Sequence, residues 1–171
     1  GEAGILHEDD RVELIDGELI RMPPIGSLHG GLVSRLNRLL VERAAGRAVV
    51  SPQNSVILSE VTEPQPDFCV LRWRGDDYMG ATPVAADTLL VIEVADPSLR
   101  YDRDVKLRLY AESGVPEVWI LDARRRQLLV YRDPAQSCYR SAQTMVEGDA
   151  VECVALPQLR ITIGELFAEN V

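Results

Sequence analysis

The sequence predicts an α/β chain built on a mixed sheet, and three observations carry that prediction. Residues 88–122 read as an apolar run, an amphipathic run and a second apolar run, with Gly114 and Pro116 closing the middle piece. That order is a strand, a crossover helix and a parallel strand, with a right-handed connection expected. Shorter alternating segments broken by turn residues flank this unit, at residues 12–22 and again at 127–163, and read as antiparallel strands.

A chain of 171 residues is long enough for a sizeable core. No linker, repeat or low-complexity tract divides it, so residues 1–171 are read as one domain. Hydrophobic residues make up 46% and charged residues 26%, the balance of a soluble globular protein. No apolar run approaches bilayer length and no signal-peptide pattern is visible, so a cytoplasmic protein without membrane contact is expected. The chain begins at Gly1 rather than Met, which suggests missing N-terminal sequence. Cys69, Cys138 and Cys153 are odd in number and lack CxxC spacing, which reads as reduced thiols. The net charge of −9 argues against unassisted long-range attraction to nucleic acid. It leaves room for a metal-loaded cleft or a local basic patch. Arg124-Arg125-Arg126 is the densest basic run. It lies at an expected turn and reads as solvated surface, with phosphate contact as the alternative.

Taken in order, Asp16-Gly17 is a two-residue hairpin turn. It sets Ile15 opposite Glu18 and Glu13 opposite Ile20, all on one face. Glu13 and Glu18 are therefore either contributors to one acidic site or charges on a half-exposed hairpin. Pro23-Pro24 ends the hairpin, and Ser27 can cap a helix. That helix has a buried stripe of Leu28, Leu32, Leu36, Leu39 and Leu40 and an end at Gly46. His29 falls in its first turn, as a surface or a site residue. Short strands are expected at residues 48–50 and 55–58. Pro64 and Pro66 forbid a helix and lead into a strand at residues 68–71, with Asp67 at its mouth. Residues 72–87 read as a polar loop. Beyond the crossover unit, Glu147-Gly148-Asp149 is a turn, residues 150–155 and 159–163 are strands, and a short helix lies near residues 164–169.

Glu93 stands inside the first strand of the crossover unit, with Leu89 to Ile92 before it and Val94 and Ala95 after it. A carboxylate buried there costs several kcal/mol unless a charge compensates. It is either a strand-end acid facing water or an acid placed for chemistry. On a helical wheel of about 100° per residue, Asp102 and Lys106 fall inside the apolar arc of the next segment. They read as an i,i+4 surface pair, or as a lysine aimed at Glu93 and held by Asp102. Two carboxylates on neighbouring strands, Asp67 and Glu93, can hold Mg²⁺ or Mn²⁺ through oxygen. A lysine beside them can orient or deprotonate water, or stabilise charge on a phosphorane-like transition state. There is no GxSxG turn, no zinc-ligand spacing and no phosphate-binding glycine loop.

Pro66-Asp67 followed by Glu93 within a strand resembles the PD-(D/E)xK nuclease superfamily. In the common form the lysine follows the second acid by two residues, where this chain has Ala95. More closely, the chain resembles the Uma-type restriction endonuclease family. The matching residues are Glu13 to Leu19, His29, Pro66-Asp67, Ile92 to Val94, Asp102-Arg103, Lys106, and Tyr110 to Asp122, while Asp96-Pro97-Ser98 replaces the usual Ser-Pro-Ser. The resemblance implies a restriction-endonuclease-like core, a mixed central sheet flanked by helices with an N-terminal hairpin. It implies a Mg²⁺ (or Mn²⁺) site at Asp67 and Glu93, with Lys106 displaced onto the helix as catalytic base or charge stabiliser. Glu18, His29 and Asp102 are further candidates. The activity implied is metal-dependent hydrolysis of DNA phosphodiesters, with DNA as partner and a homodimer placing two sites across a duplex. The alternative is an inactive binding or regulatory module that keeps the fold.

Overall fold

The computed structural model describes residues 11–96 and 98–168. Pro97 of the Asp96-Pro97-Ser98 segment, Glu169 of the expected last helix, and the Gly1 start lie outside the described residues.

A six-stranded sheet carries the chain, in the order β3 (Ala48–Pro52), β4 (Phe68–Arg72), β5 (Thr88–Ala95), β6 (Glu117–Asp122), β7 (Gln127–Ala135) and β8 (Cys138–Met145). Strands β5 and β6 are parallel, and every other neighbouring pair is antiparallel. All eight residues of β5 are buried, as its continuous apolar run requires of a strand covered on both faces.

Period-2 alternation decides which element each residue meets. Leu90, Ile92 and Val94 of β5 point to the face covered by α1 (Ser27–Ala44), by the two-stranded sheet of β9 (Ala150–Cys153) and β10 (Leu156–Thr162), and by α4 (Ile163–Phe167). Val91 and Ala95 point to the opposite face, where Tyr110 packs with them. Glu93 belongs by alternation to this second face.

The crossover between β5 and β6 is a single helical stretch in three pieces. These are α2 (Leu99–Tyr101), a π segment (Asp102–Lys106) and α3 (Leu107–Glu112). In the π segment the Leu107 N–H bonds to the Asp102 carbonyl, five residues back. Gly114 ends the stretch at φ +76°, where a side chain would be strained.

The N-terminal hairpin, β1 (Val12–Ile15) and β2 (Glu18–Arg21), has the expected register, Glu13 opposite Ile20 and Ile15 opposite Glu18. Asp16 and Gly17 both have positive φ, as the two-residue turn demands. The hairpin is tied to the loop before β4: Leu14 and Glu63 exchange backbone hydrogen bonds at 3.2 and 2.7 Å.

Three local expectations need correction. Ser27 is the first helical residue, and Gly26 takes the N-cap position without a side-chain bond. Leu28, expected in the buried stripe, is exposed, and Ala44 completes the stripe instead. Residues 55–58 form no strand. Gln53 turns the chain at φ +50°, and Val56 and Ile57 then donate to the loop carbonyls of Pro64 and Pro83.

Candidate active site

Strand pairing brings the two acids together. Phe68 pairs with Ile92 in the β4–β5 register, so one step further Asp67 lies across from Glu93. Each carboxylate accepts a backbone N–H from the other strand. Val94 N–H donates to Asp67 Oδ2 at 2.8 Å, and Asp67 N–H donates to Glu93 Oε2 at 3.4 Å.

The crossover stretch supplies the cation. Lys106 Nζ lies 3.1 Å from Glu93 Oε1, and the Tyr110 hydroxyl donates to the same oxygen at 2.7 Å. One helical turn separates these two donors, so they converge on one carboxylate. The hairpin completes the cluster: Glu13 Oε1 lies 2.7 Å from Lys106 Nζ and accepts the Gln65 N–H at 2.8 Å. Glu13, Glu93, Asp102 and Lys106 are all buried, at 3–4% exposure.

His29, from the first turn of α1, places Nε2 3.1 Å from Asp67 Oδ2, and Gln53 Nε2 lies 3.4 Å from Asp67 Oδ1. Asp102 accepts from the Ser98 hydroxyl at 2.8 Å. The lysine is thus aimed at Glu93 as the wheel suggested, but its second carboxylate is Glu13 rather than Asp102. Glu18 is exposed beside the hairpin turn and does not line the cleft. Alternation placed Glu13 and Glu18 on one face, but Glu13 lies on β1, along which residues 61–65 run and take the Glu13 carboxylate through the Gln65 N–H, while Glu18 on β2 stays exposed.

These groups line a cleft of about 490 Å³, walled on one side by Ile20, Met22, Pro23, Pro24 and Ile25 and on the other by Asp67, Glu93 and Val94. At its floor three buried acids meet one buried cation. Burial therefore pushes the Glu93 carboxyl up to about 8, opposed by the Lys106 charge and helped by Asp102, Asp67 and Glu13. Asp102 rises to about 6, again chiefly through burial. For Lys106, burial works against the ammonium, but Glu93, Glu13 and Asp102 outweigh it and raise its pKa above the ordinary lysine range. The hydrogen bond to Asp67 raises His29, with burial acting the other way.

Sequence reasoning missed the part played by Tyr110, although its i,i+4 spacing from Lys106 was a usable signal. It also missed Arg11 and Tyr101, which line the cleft. No short-range pattern marks those two, because the hairpin's placement over the site is a tertiary event.

The paired strand-end carboxylates, the crossover lysine and the mixed sheet define a restriction-endonuclease-like protein. The sequence profile of the Uma2 family, described as "Putative restriction endonuclease", matches residues 3–164, and the chain belongs to this family. Its fold is similar to that in a crystal structure of a "putative nuclease belonging to DUF820" from Anabaena variabilis ATCC 29413. The TM-score is 0.78 at 17% identity, over 97% of this chain and 94% of that one. No match is found among curated proteins. Among the described residues no helix is long and apolar enough to cross a membrane.

Proposed function

We propose that the chain is a divalent-metal-dependent nuclease that hydrolyses phosphodiester bonds in DNA, with Asp67, Glu93 and Lys106 as its catalytic residues. The observation that carries this is the meeting of Asp67 and Glu93 across adjacent strands with Lys106 Nζ against Glu93.

The donor set suits Mg²⁺ or Mn²⁺. Among the described residues no three His, Cys, Asp or Glu side chains are gathered to hold a metal ion. Mg²⁺, however, is commonly held by one or two carboxylates, with water and substrate phosphate filling the rest of its shell. Asp67 and Glu93 provide those two, and the excess of buried acid favours a bound cation. Two buried polar atoms of the cleft residues, His29 Nδ1 and the Tyr101 hydroxyl, also lack hydrogen-bond partners among the described residues. Buried polar atoms are normally satisfied, so their state fits a site shaped for a further polar group. A bound divalent ion would lower the pKa of water and neutralise charge developing on phosphate oxygens.

The chain's own groups have separable tasks. Tyr110 and Lys106 fix Glu93 Oε1, which leaves Oε2 on the Asp67 side. His29 fixes Asp67. A lysine held protonated by two acids is a poor base, so Lys106 acts as charge stabiliser for the phosphorane-like transition state. Hydrolysis adds water across the P–O bond and leaves a phosphate monoester and a hydroxyl. Cutting both strands of a duplex calls for two such sites, and we include a homodimer in the proposal, to be checked by sedimentation.

The test is incubation of DNA with purified protein in Mg²⁺ or Mn²⁺, beside Asp67→Ala and Lys106→Ala. Cleavage by the unaltered protein alone is expected. Equal cutting by all three would overturn the residue assignment, and no cutting by any would overturn the activity. The pinning of Lys106 between Glu13 and Glu93 favours one second reading, an inactive binding or regulatory module. Calorimetric titration separates the two, since absence of divalent binding at millimolar metal supports the module.

A further inference from the structure

An acidic chain that holds a polyanion needs a cation that its own acids have not neutralised. Lys106 does not meet that need, being buried between Glu13 and Glu93. Arg11 is placed differently. Its backbone carbonyl accepts the Met22 N–H at 2.9 Å, which continues the hairpin register by one pair. Arg11 therefore lies on the same hairpin face as Glu13, about 7 Å further along the strand, as two residues of extended chain require. It lines the cleft, half-buried, and its Nη1 donates to the Pro23 carbonyl at 3.1 Å. That bond braces the guanidinium, and among the described residues it uses only one of the several donors. Arg21 also lines the cleft, but it is exposed and lies opposite Val12 in the register, off the face that carries Glu13 and Arg11.

We propose that Arg11 binds a phosphate of the nucleic-acid substrate, its guanidinium taking non-bridging oxygens at the mouth of the cleft while the neighbouring phosphate reaches the Asp67–Glu93 floor. The inference rests on the nuclease reading above and names the residue that makes an acidic cleft hospitable to a DNA strand. A planar guanidinium suits this task because it meets phosphate oxygens through two parallel N–H bonds, and its positive charge is permanent.

The experiment measures binding of a fluorescein-labelled DNA oligonucleotide, single-stranded and as a duplex, by anisotropy in Ca²⁺ over a series of salt concentrations. Arg11→Gln is expected to weaken binding and to lower the slope of log affinity against log salt. The loss of one neutralised phosphate amounts to about 0.7 for the single strand or about 0.9 for the duplex. Arg11→Lys keeps the charge and should keep the slope while binding less tightly. If Arg11 only braces Pro23, Arg11→Gln will weaken binding with the slope intact, and the proposal falls. A lowered slope in Arg11→Lys would also overturn it. Unaltered binding by Arg11→Gln overturns this inference and leaves the nuclease reading standing. Failure of the unaltered protein to bind either oligonucleotide at the lowest salt removes both.

Discussion

Lys106 is a buried cation claimed by two carboxylates, and its removal tests how the site is balanced. Breaking a buried pair by deleting one member strands the other charge, at a typical cost of about 3–5 kcal/mol. Lys106→Met should therefore lower stability to urea by about that much. Adding Glu13→Gln and Glu93→Gln to the same chain should recover most of the loss. Glu93 gives the opposite result. Its carboxyl is held near 8 by burial among other acids, so at pH 8 a neutral amide of the same shape relieves strain. Metal-free Glu93→Gln should melt higher than the unaltered protein at pH 8, by about 3 °C for each ~1 kcal/mol gained at this chain length. It should also lose cleavage. A lower melting temperature at pH 8 would contradict the charge imbalance read from the cleft.

The π segment is the element that sets the register between Asp102 and the rest of the crossover stretch. A π segment inside an α-helix amounts to one extra residue, and such insertions recur at functional sites. Here its two ends, Asp102 and Lys106, are both buried. Deleting the exposed Asp104 should restore regular α-geometry. Residues 99–103 would then turn by about 100° relative to residues 105–112, with a shift of about 1.5 Å. The expected outcome is unchanged far-UV circular dichroism with loss of cleavage. Retained activity would mean that the π geometry is incidental. This element also marks the limit of what sequence could tell. The unbroken apolar run of residues 88–95 announced a fully covered strand, and Glu93 stood out against it. The wheel placed Lys106 toward that strand, but only by assuming ideal α spacing, so the π turn went unseen. The hairpin register was legible from Asp16-Gly17. Which of Glu13 and Glu18 would be buried was not, because that depends on the packing of residues 61–65, far along the chain, against β1. Residues 55–58 misled for a related reason: the apolar run Val56-Ile57-Leu58 makes a strand only where a neighbouring strand pairs with it, and here it meets loop carbonyls and a single bridge.

Across the whole molecule, the protons held at the cleft set the pH profile of folding. Glu93, Asp102 and His29 all have raised pKa values in the folded state. The folded chain thus binds more protons than the unfolded one, and their contribution is lost as pH rises. The window runs from 4.5 to about 8 for Glu93 and from 3.8 to about 6 for Asp102. Glu165 acts in the other direction. The Arg43 hydrogen bond lowers it to about 2, so its stabilisation is present above 4.5 and fades as pH falls through 2. Its side chain is 37% exposed, so solvent screening keeps that contribution small. Thermal melts of metal-free protein should therefore peak near mildly acidic pH and decline by pH 8. Millimolar Mg²⁺ should recover the loss at pH 8 and have little effect at pH 5. A metal-free melting temperature that climbs steadily between pH 5 and pH 8 would refute this account.

Asp67 and Glu93 lie on either side of the segment that carries Met79, a residue 85% exposed. Severing the chain between Met79 and Gly80 would divide the acids between two pieces, with Glu13 and His29 on one and Lys106 and Tyr110 on the other. Neither piece could act alone, yet the β4–β5 ladder offers them a seam along which to rejoin. Fused to two proteins that associate, the halves should regain DNA cutting only when those proteins meet. The same layout that assembles the site from distant parts of the chain would thus serve as a proximity reporter.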